Sequence, residues 1–183
     1  MTSIRERPAE VEGRLVPGHW EGDLIKGAGN RSSVGTLVER TSRKLIKLTD
    51  AKAETACDGF AAGLLAVPAP LRLTLTYDQG KEMARHKELA ALTGLRVYFA
   101  DPHAPWQRGS NENTNGLLRQ YLPKGTDLSV FSQAELDAIA ARLNGRPRKT
   151  LGFATPDEVF AGLMDKAANA VTSQNAEGVR YVT

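Results

Sequence analysis

Two short strand-like runs, with one helix-length segment between them, constrain this chain more than any other feature. Residues 71–77 (Leu-Arg-Leu-Thr-Leu-Thr-Tyr) alternate with period two and contain β-formers. Residues 95–99 make a second short strand, and residues 82–92 between them read as a helix that Gly94 ends. Strand, helix and strand in succession require parallel pairing through a right-handed crossover. Upstream, residues 19–25, 33–39 and 44–48 read as three strands. Gly27, Gly29 and Asn30 turn the first link and residues 40–43 the second, which suggests an antiparallel meander. The result is an α/β protein of one domain: a mixed five-stranded sheet with helices on both faces.

Further helices are predicted where the apolar period changes. Residues 51–65 are Ala-rich, with Ala53, Ala56, Phe60, Gly63 and Leu64 at helical spacing; Asp50 is a partial cap, and Pro68 and Pro70 end the helix. Residues 110–121 form a helix stopped at Pro123. Residues 133–143 are capped by Ser132, with Glu135 at the third helical position. Residues 156–164 follow Thr155 as cap and Pro156 as first residue. Residues 1–16 are polar and mixed in charge and read as a flexible lead-in, and residues 165–183 as a loosely ordered tail. The core is placed at 17–164.

Composition excludes several classes. The single cysteine, Cys57, rules out an internal disulfide and a Cys-rich zinc site and fits a reduced, cytoplasmic setting. His19, His86 and His103 match no zinc spacing. The first residues have no apolar run of the signal-peptide kind, and the longest apolar stretch, 60–69, is broken by Gly63 and Pro68, too short to span a bilayer. Lys and Arg number 24 against 21 Asp and Glu, so the placement of basic residues says more about an acidic partner than the net charge of +3.

Metal-assisted phosphoryl chemistry needs hard oxygen ligands, about three carboxylates converging from separate elements on ions roughly 4 Å apart. Asp23 lies in the first predicted strand, Asp78 directly after the fourth, and Glu112 in the first turn of the 110–121 helix. By residue type alone Asp50, Asp127, Glu135 and Asp137 are equally available. Longer words in the sequence separate them. These are His19-Trp-Glu-Gly-Asp-Leu-Ile, Thr76-Tyr-Asp-Gln-Gly-Lys-Glu, and the stretch from Tyr98 through Asp101-Pro-His-Ala-Pro-Trp-Gln-Arg-Gly-Ser-Asn-Glu-Asn-Thr-Asn-Gly to Thr126. A fourth is Leu143-Asn-Gly-Arg-Pro-Arg-Lys-Thr-Leu-Gly-Phe-Ala-Thr-Pro-Asp-Glu-Val-Phe.

Through these words, over roughly residues 17–164, the chain resembles the catalytic core of DDE-type transposases and retroviral integrases, and within that group the bacterial insertion-sequence family numbered thirty. The 33 residues between Asp78 and Glu112 match that family's spacing. The resemblance implies an RNase H-like fold and a catalytic, metal-binding triad of Asp23, Asp78 and Glu112. It also implies two Mg²⁺ (or Mn²⁺) ions per site, and DNA cleavage and strand transfer by a homo-oligomer on DNA, with no membrane. Gln79, Met83 and Gly145 depart from the usual Asn, Phe and Asn without removing a ligand. The family also carries an N-terminal helix-turn-helix region, which residues 1–17 do not form. A nuclease that does not join strands, and a DNA-binding remnant without catalysis, are the alternative readings.

Around the triad, Pro102, Pro105 and Gly109 stiffen the loop before Glu112. Trp106 reads as a packing anchor, with stacking on a base as the alternative, and Gln107 and Arg108 as phosphate contacts or surface residues. Glu112, Asn115, Gly116 and Arg119 share one helix face. The DNA contacts assigned are Arg108, Asn115, Arg119, Lys124, Arg146, Arg148 and Lys149, the last three within the acid-free stretch 142–149.

Overall fold

The computed structural model describes residues 1–46, 53–80 and 83–178. The strands are β1 (Thr2–Ser3), β2 (His19–Lys26), β3 (Ser33–Glu39), β4 (Leu45–Ile46), β5 (Thr74–Tyr77) and β6 (Arg96–Phe99). The helices are α1 (Ala53–Leu65), α2 (His86–Thr93), α3 (Gly109–Leu118), α4 (Gln133–Asn144) and α5 (Pro156–Gly178). The sheet order is β1-β6-β5-β2-β3-β4. β2, β3 and β4 pair antiparallel as the predicted meander, and β5 pairs parallel with both β2 and β6.

Strand parity sorts the side chains. On one face Trp20, Leu24, Leu37, Leu75 and Tyr77 join the apolar core with α1, α2 and α5. Trp20 is fully buried, meets Phe160 of α5 edge-on at 6.0 Å between centroids, and donates from Nε1 to the Leu71 carbonyl at 2.9 Å. Gly22 is required here, because a Cβ would lie 2.6 Å from Tyr77 Cδ2. The other face is polar beneath α3: Glu21, Thr36, Thr74 and Thr76 are buried there, and Asp23 and Asp78 share its parity.

Several boundaries differ from expectation. The sheet has six strands rather than five, because residues 2–3 add to β6 in parallel. The lead-in is ordered: Ile4 and Val11 are buried, and Arg7 donates to Thr76 Oγ1 at 2.9 Å. Two apolar side chains and one cation suffice to tie down a segment that has no periodic pattern. β5 starts at Thr74 because Ala69–Leu71 forms a 3-10 turn. α2 starts at His86 and ends where Gly94 adopts φ 76°. Ser132 and Glu135 form the predicted capping box. Thr155 and Glu158 exchange the same bonds at the start of α5, whose helix continues to Gly178 instead of stopping at Met164. Ala167 packs into the core, and no proline interrupts the run, so the segment expected as a loose tail is helical as far as Gly178. Asp50, Glu82 and the last two residues of the predicted 44–48 strand lie outside the described residues. Among the described residues no helix is long and apolar enough to cross a membrane.

Candidate active site

Parallel neighbours β2 and β5 carry Asp23 and Asp78 toward the same end of the sheet, Asp23 within its strand and Asp78 one residue beyond Tyr77. The two carboxylates converge on one guanidinium. Arg108 Nη1 lies 3.2 Å from Asp23 Oδ1, and Nη2 lies 3.8 Å from Asp78 Oδ2. Nη1 also donates to the Gly22 carbonyl at 3.1 Å. Asn115 Nδ2 donates to Asp23 Oδ2 at 2.9 Å, so both oxygens of Asp23 are held. Asp78 Oδ1 accepts from the Gly80 amide at 3.1 Å, a local turn that fixes the carboxylate just past its strand.

The helix bearing Glu112 is docked on the polar sheet face by buried bonds. The Asn111 amide donates to Glu21 Oε2 at 2.8 Å, Thr36 Oγ1 to Asn111 Oδ1 at 3.0 Å, and Arg43 Nη1 to Ser110 Oγ at 2.7 Å. Glu21 is itself fully buried and faces Arg40 at 3.3 Å. These bonds turn Ser110, Asn111 and Thr114 inward and leave Glu112 exposed, within electrostatic reach of Asp23 and Arg108. Before α3, the 3-10 turn Pro105–Arg108 drives Arg108 under the helix, and Gln107 accepts from the Asp101 amide at 2.8 Å to brace the loop.

Charge at this place is unbalanced. Burial, opposed by Arg108 and reinforced by Asp78, pushes the Asp23 carboxyl above its usual range. Burial, and then the charge of Asp23, push Glu112 up, with Arg108 pulling the other way. Burial disfavours the Arg108 cation, yet Asp23 and Asp78 together hold its pKa above the ordinary value. The pair is unequal because Arg108 faces two acids whereas Asp23 has one cation against burial and a second acid. Among the described residues no three of His, Cys, Asp and Glu close on one point tightly enough to hold an ion. The point between Asp23 and Asp78 is taken by the guanidinium. All the donors there are hard carboxylate oxygens already gathered round a cation, so a divalent ion suits the set if Arg108 yields its place.

The residues assigned to DNA fall into two groups. Arg108, expected on phosphate or at the surface, is instead buried and paired with the acids, because β2 and β5 place two carboxylates directly beneath its turn. Asn115 likewise orients Asp23. Arg119 ties the end of α3 to β2, donating to the Leu122 and Lys26 carbonyls at 3.3 and 3.1 Å. Lys124 and Lys149 are exposed. Arg146 stacks 5.6 Å over the Tyr121 ring and bonds its hydroxyl, and Arg148 donates to the Leu143 carbonyl at 3.0 Å. Trp106, expected to pack, is 75% exposed. Sequence reasoning missed Glu21, Thr36, Asn111 and Arg43, the residues that hold α3; alternation along β2, which puts Glu21 on the face of Asp23, was the available signal.

Comparisons with known proteins bear on the chain's relatives and its fold. The chain is 68% identical over 166 residues to a transposase for insertion sequence element IS1086 from Cupriavidus metallidurans, covering 90% of this chain and 49% of the relative. The chain's homologues are IS30-family insertion-sequence transposases. A second relative, transposase InsI for insertion sequence element IS30A from Escherichia coli, is 49% identical over 161 residues, covering 87% of this chain and 42% of the relative. The chain spans about half the length of the curated relatives it matches. No protein-family model matches it. Among solved structures, the catalytic core domain of BIV integrase superposes with a TM-score of 0.60 at 18% identity, covering 81% of this chain and 97% of that one. The HTLV-2 integrase catalytic core, solved in complex with magnesium, gives 0.57 at 16%, covering 79% and 97%. The fold of this chain is therefore that of the integrase catalytic core, RNase H-like, as its sequence words imply.

Proposed function

We propose that residues 17–164 are the catalytic core of a DDE transposase that cuts DNA at element ends and joins them to target DNA, with Asp23, Asp78 and Glu112 as the catalytic, metal-holding acids. The observation that carries this reading is the convergence of Asp23 and Asp78, from adjacent parallel strands, on a single cation beneath the helix of Glu112. Bound by these acids, one or two divalent ions of the Mg²⁺ or Mn²⁺ class would supply an activated attacking oxygen and neutralise charge on the phosphate and the leaving oxygen. The chain's own residues set the stage for an in-line displacement. Asn115 fixes the orientation of Asp23, the Gly80 amide that of Asp78, and the Glu21–Asn111 bond the height of Glu112. Arg108 keeps the two aspartates together as long as no other cation does. Trp106, exposed on the loop before α3, offers a stacking surface for a splayed base. Water as attacking group nicks a strand; a 3′-hydroxyl transfers one, with the 3′-oxygen leaving in both cases and no covalent enzyme intermediate. The protein would act as a homo-oligomer on DNA in the bacterial cytoplasm, where the lone buried thiol of Cys57 stays reduced.

The test is incubation with Mg²⁺ or Mn²⁺, supercoiled plasmid and duplexes with free 3′-hydroxyl ends. Nicked circles and covalently joined products support the proposal. Nicking without joining gives the nuclease reading, and neither, with DNA still bound, the remnant.

A further inference from the structure

α3 presents three stripes. Glu112 and Asn115 lie on the side of the carboxylate site, Ser110, Thr114 and Leu118 turn inward, and Gly109 and Asn113 lie on the flank lined by Arg14. Against that flank is a cavity of about 250 Å³ walled by Arg14, Arg43 and Arg148, with Asn113, Thr114 and Thr150 completing it. Sites that enclose a drug-sized molecule run from roughly 300 to 1,000 Å³; this one suits a single anionic group. Among the described residues no carboxylate lines it. The acids nearest Arg43 are committed elsewhere: Glu21 to Arg40 and the Asn111 amide, Glu39 to the Gly18 amide and Ser42.

Three guanidiniums lining one cavity repel one another; Glu12, the acid within electrostatic reach of Arg14, is itself paired with Arg7, and the backbone that carries two of the three is constrained. Arg14 and Arg43 are two of the five non-glycine residues with positive φ among the described residues, at 53° and 63°. Gly109 lets Arg14 approach the first turn of α3, since a Cβ there would lie 3.3 Å from Arg14 Nη2. The Nε groups of Arg14 and Arg148 are buried and have no hydrogen-bond partner, donors placed for an acceptor. Burial and the charge of Arg14 lower the pKa of Arg43, and burial and Arg146 that of Arg148, so an anion would relieve both. The N-terminal amides of α3 add partial positive charge at the same spot.

We propose that Arg14, Arg43 and Arg148 form a phosphate pocket that grips one backbone phosphodiester of bound DNA on the far flank of the Glu112 helix. A helix with its side chains is about 10 Å across, roughly three nucleotides of duplex rise. A strand crossing the exposed edge of α3 at Asn113 and Gly116 would thus put one phosphate in this pocket and another, a few nucleotides away, over the acids. The pocket sets register and carries no sequence preference. The inference rests on the DNA-processing reading of the site but is separable from it by experiment.

The experiment measures anisotropy of a labelled duplex across a salt series for the whole chain, for the double variant Arg14→Gln/Arg148→Gln, and for Asn113→Glu. The last places an anion at the rim from an exposed helical position that should fold normally. The double variant should bind all duplexes more weakly, with the slope of log affinity against log salt shallower by about one unit; Asn113→Glu should weaken binding likewise. The double variant should retain the parent's thermal response to Mg²⁺, because the metal acids are untouched. Asp78→Asn should lose that response and keep the salt slope. Unchanged slopes and affinities in both pocket variants overturn the proposal, whether or not the parent cuts DNA. So does stabilisation by inorganic phosphate that the double variant abolishes without any change in duplex binding, which would make the pocket a site for the free ion. A shallower slope in the double variant, with a parent that never nicks DNA, would uphold the pocket and sink the catalytic reading.

Discussion

Replacing Arg108 with Leu removes the only group that holds Asp23 and Asp78 together among the described contacts. Asp23 then keeps a carboxylate that burial already disfavours, faces Asp78 without a counter-charge, and the Gly22 carbonyl loses a donor. Removing one partner of a fully buried ion pair costs about 3–5 kcal/mol. Here Asp78's side chain is 39% exposed and Asp23's 16%, so water and partial protonation offset part of it, and about 2–3 kcal/mol is expected. For a chain of 183 residues that lowers Tm by roughly 5–10 °C. The assay is thermal melting in EDTA and then in Mg²⁺. The divalent ion and the guanidinium compete for one place, so the variant should be the less stable protein in EDTA and gain more from Mg²⁺ than the parent does. Arg108→Lys, which keeps a charge but not the fork, should fall between them. If parent and Arg108→Leu melt together in EDTA, or gain equally from Mg²⁺, Arg108 is not a place-holder for the metal and the reasoning fails.

Gly22→Ala should destabilise the chain by about 1–3 kcal/mol, since its Cβ would strike the Tyr77 ring at 2.6 Å; urea unfolding measures it, and an unchanged midpoint would mean that the ring moves freely. Asp23 and Glu112 are raised by burial and by neighbouring acid charge, so the folded chain holds protons that the unfolded chain has released. Their stabilising contribution is therefore present below the ordinary carboxylate range and lost as pH rises through the raised values. Melting in EDTA should show the parent losing ground to Asp23→Asn as pH rises, and a pH-independent difference would contradict the assignment. Protons and metal compete for the same oxygens, so the Mg²⁺ shift should fade over that same range on acidification.

Much of this arrangement is legible in the chain. Alternation through 71–77 places Thr74, Thr76 and Asp78 on one face, and the helix after it demands the parallel pairing with β6; that β5 also lies beside β2, which brings that face next to Asp23, is a long-range pairing that alternation leaves open. The caps at Ser132 and Thr155 and the stop at Gly94 are local chemistry, read from a few residues. What escaped is long-range or too short to show a period. β1 has two residues, which carry no pattern. The inward turn of Arg108 depends on acids 85 and 30 positions away, and nothing local separates a buried arginine from a surface one. Trp106 looks like core by type and stands in solvent because Pro105 opens a 3-10 turn around it. The α5 extension lacks an apolar stripe, so only its freedom from breakers announced it.

The account turns on the three acids, and nicking of supercoiled DNA in Mn²⁺ by the parent, Asp23→Asn, Asp78→Asn, Glu112→Gln and the control Asp127→Asn tests it most directly. An amide keeps the shape and loses the charge that a divalent ion needs, so each triad variant should lose at least about 10³-fold in rate, the several kcal/mol that metal ions supply. Asp127, fully exposed and bonded to Ser129, should be replaceable with little change. Near-parental nicking by any one of the three amide variants, with parental melting and DNA binding, would remove that residue from the site and contradict the central claim.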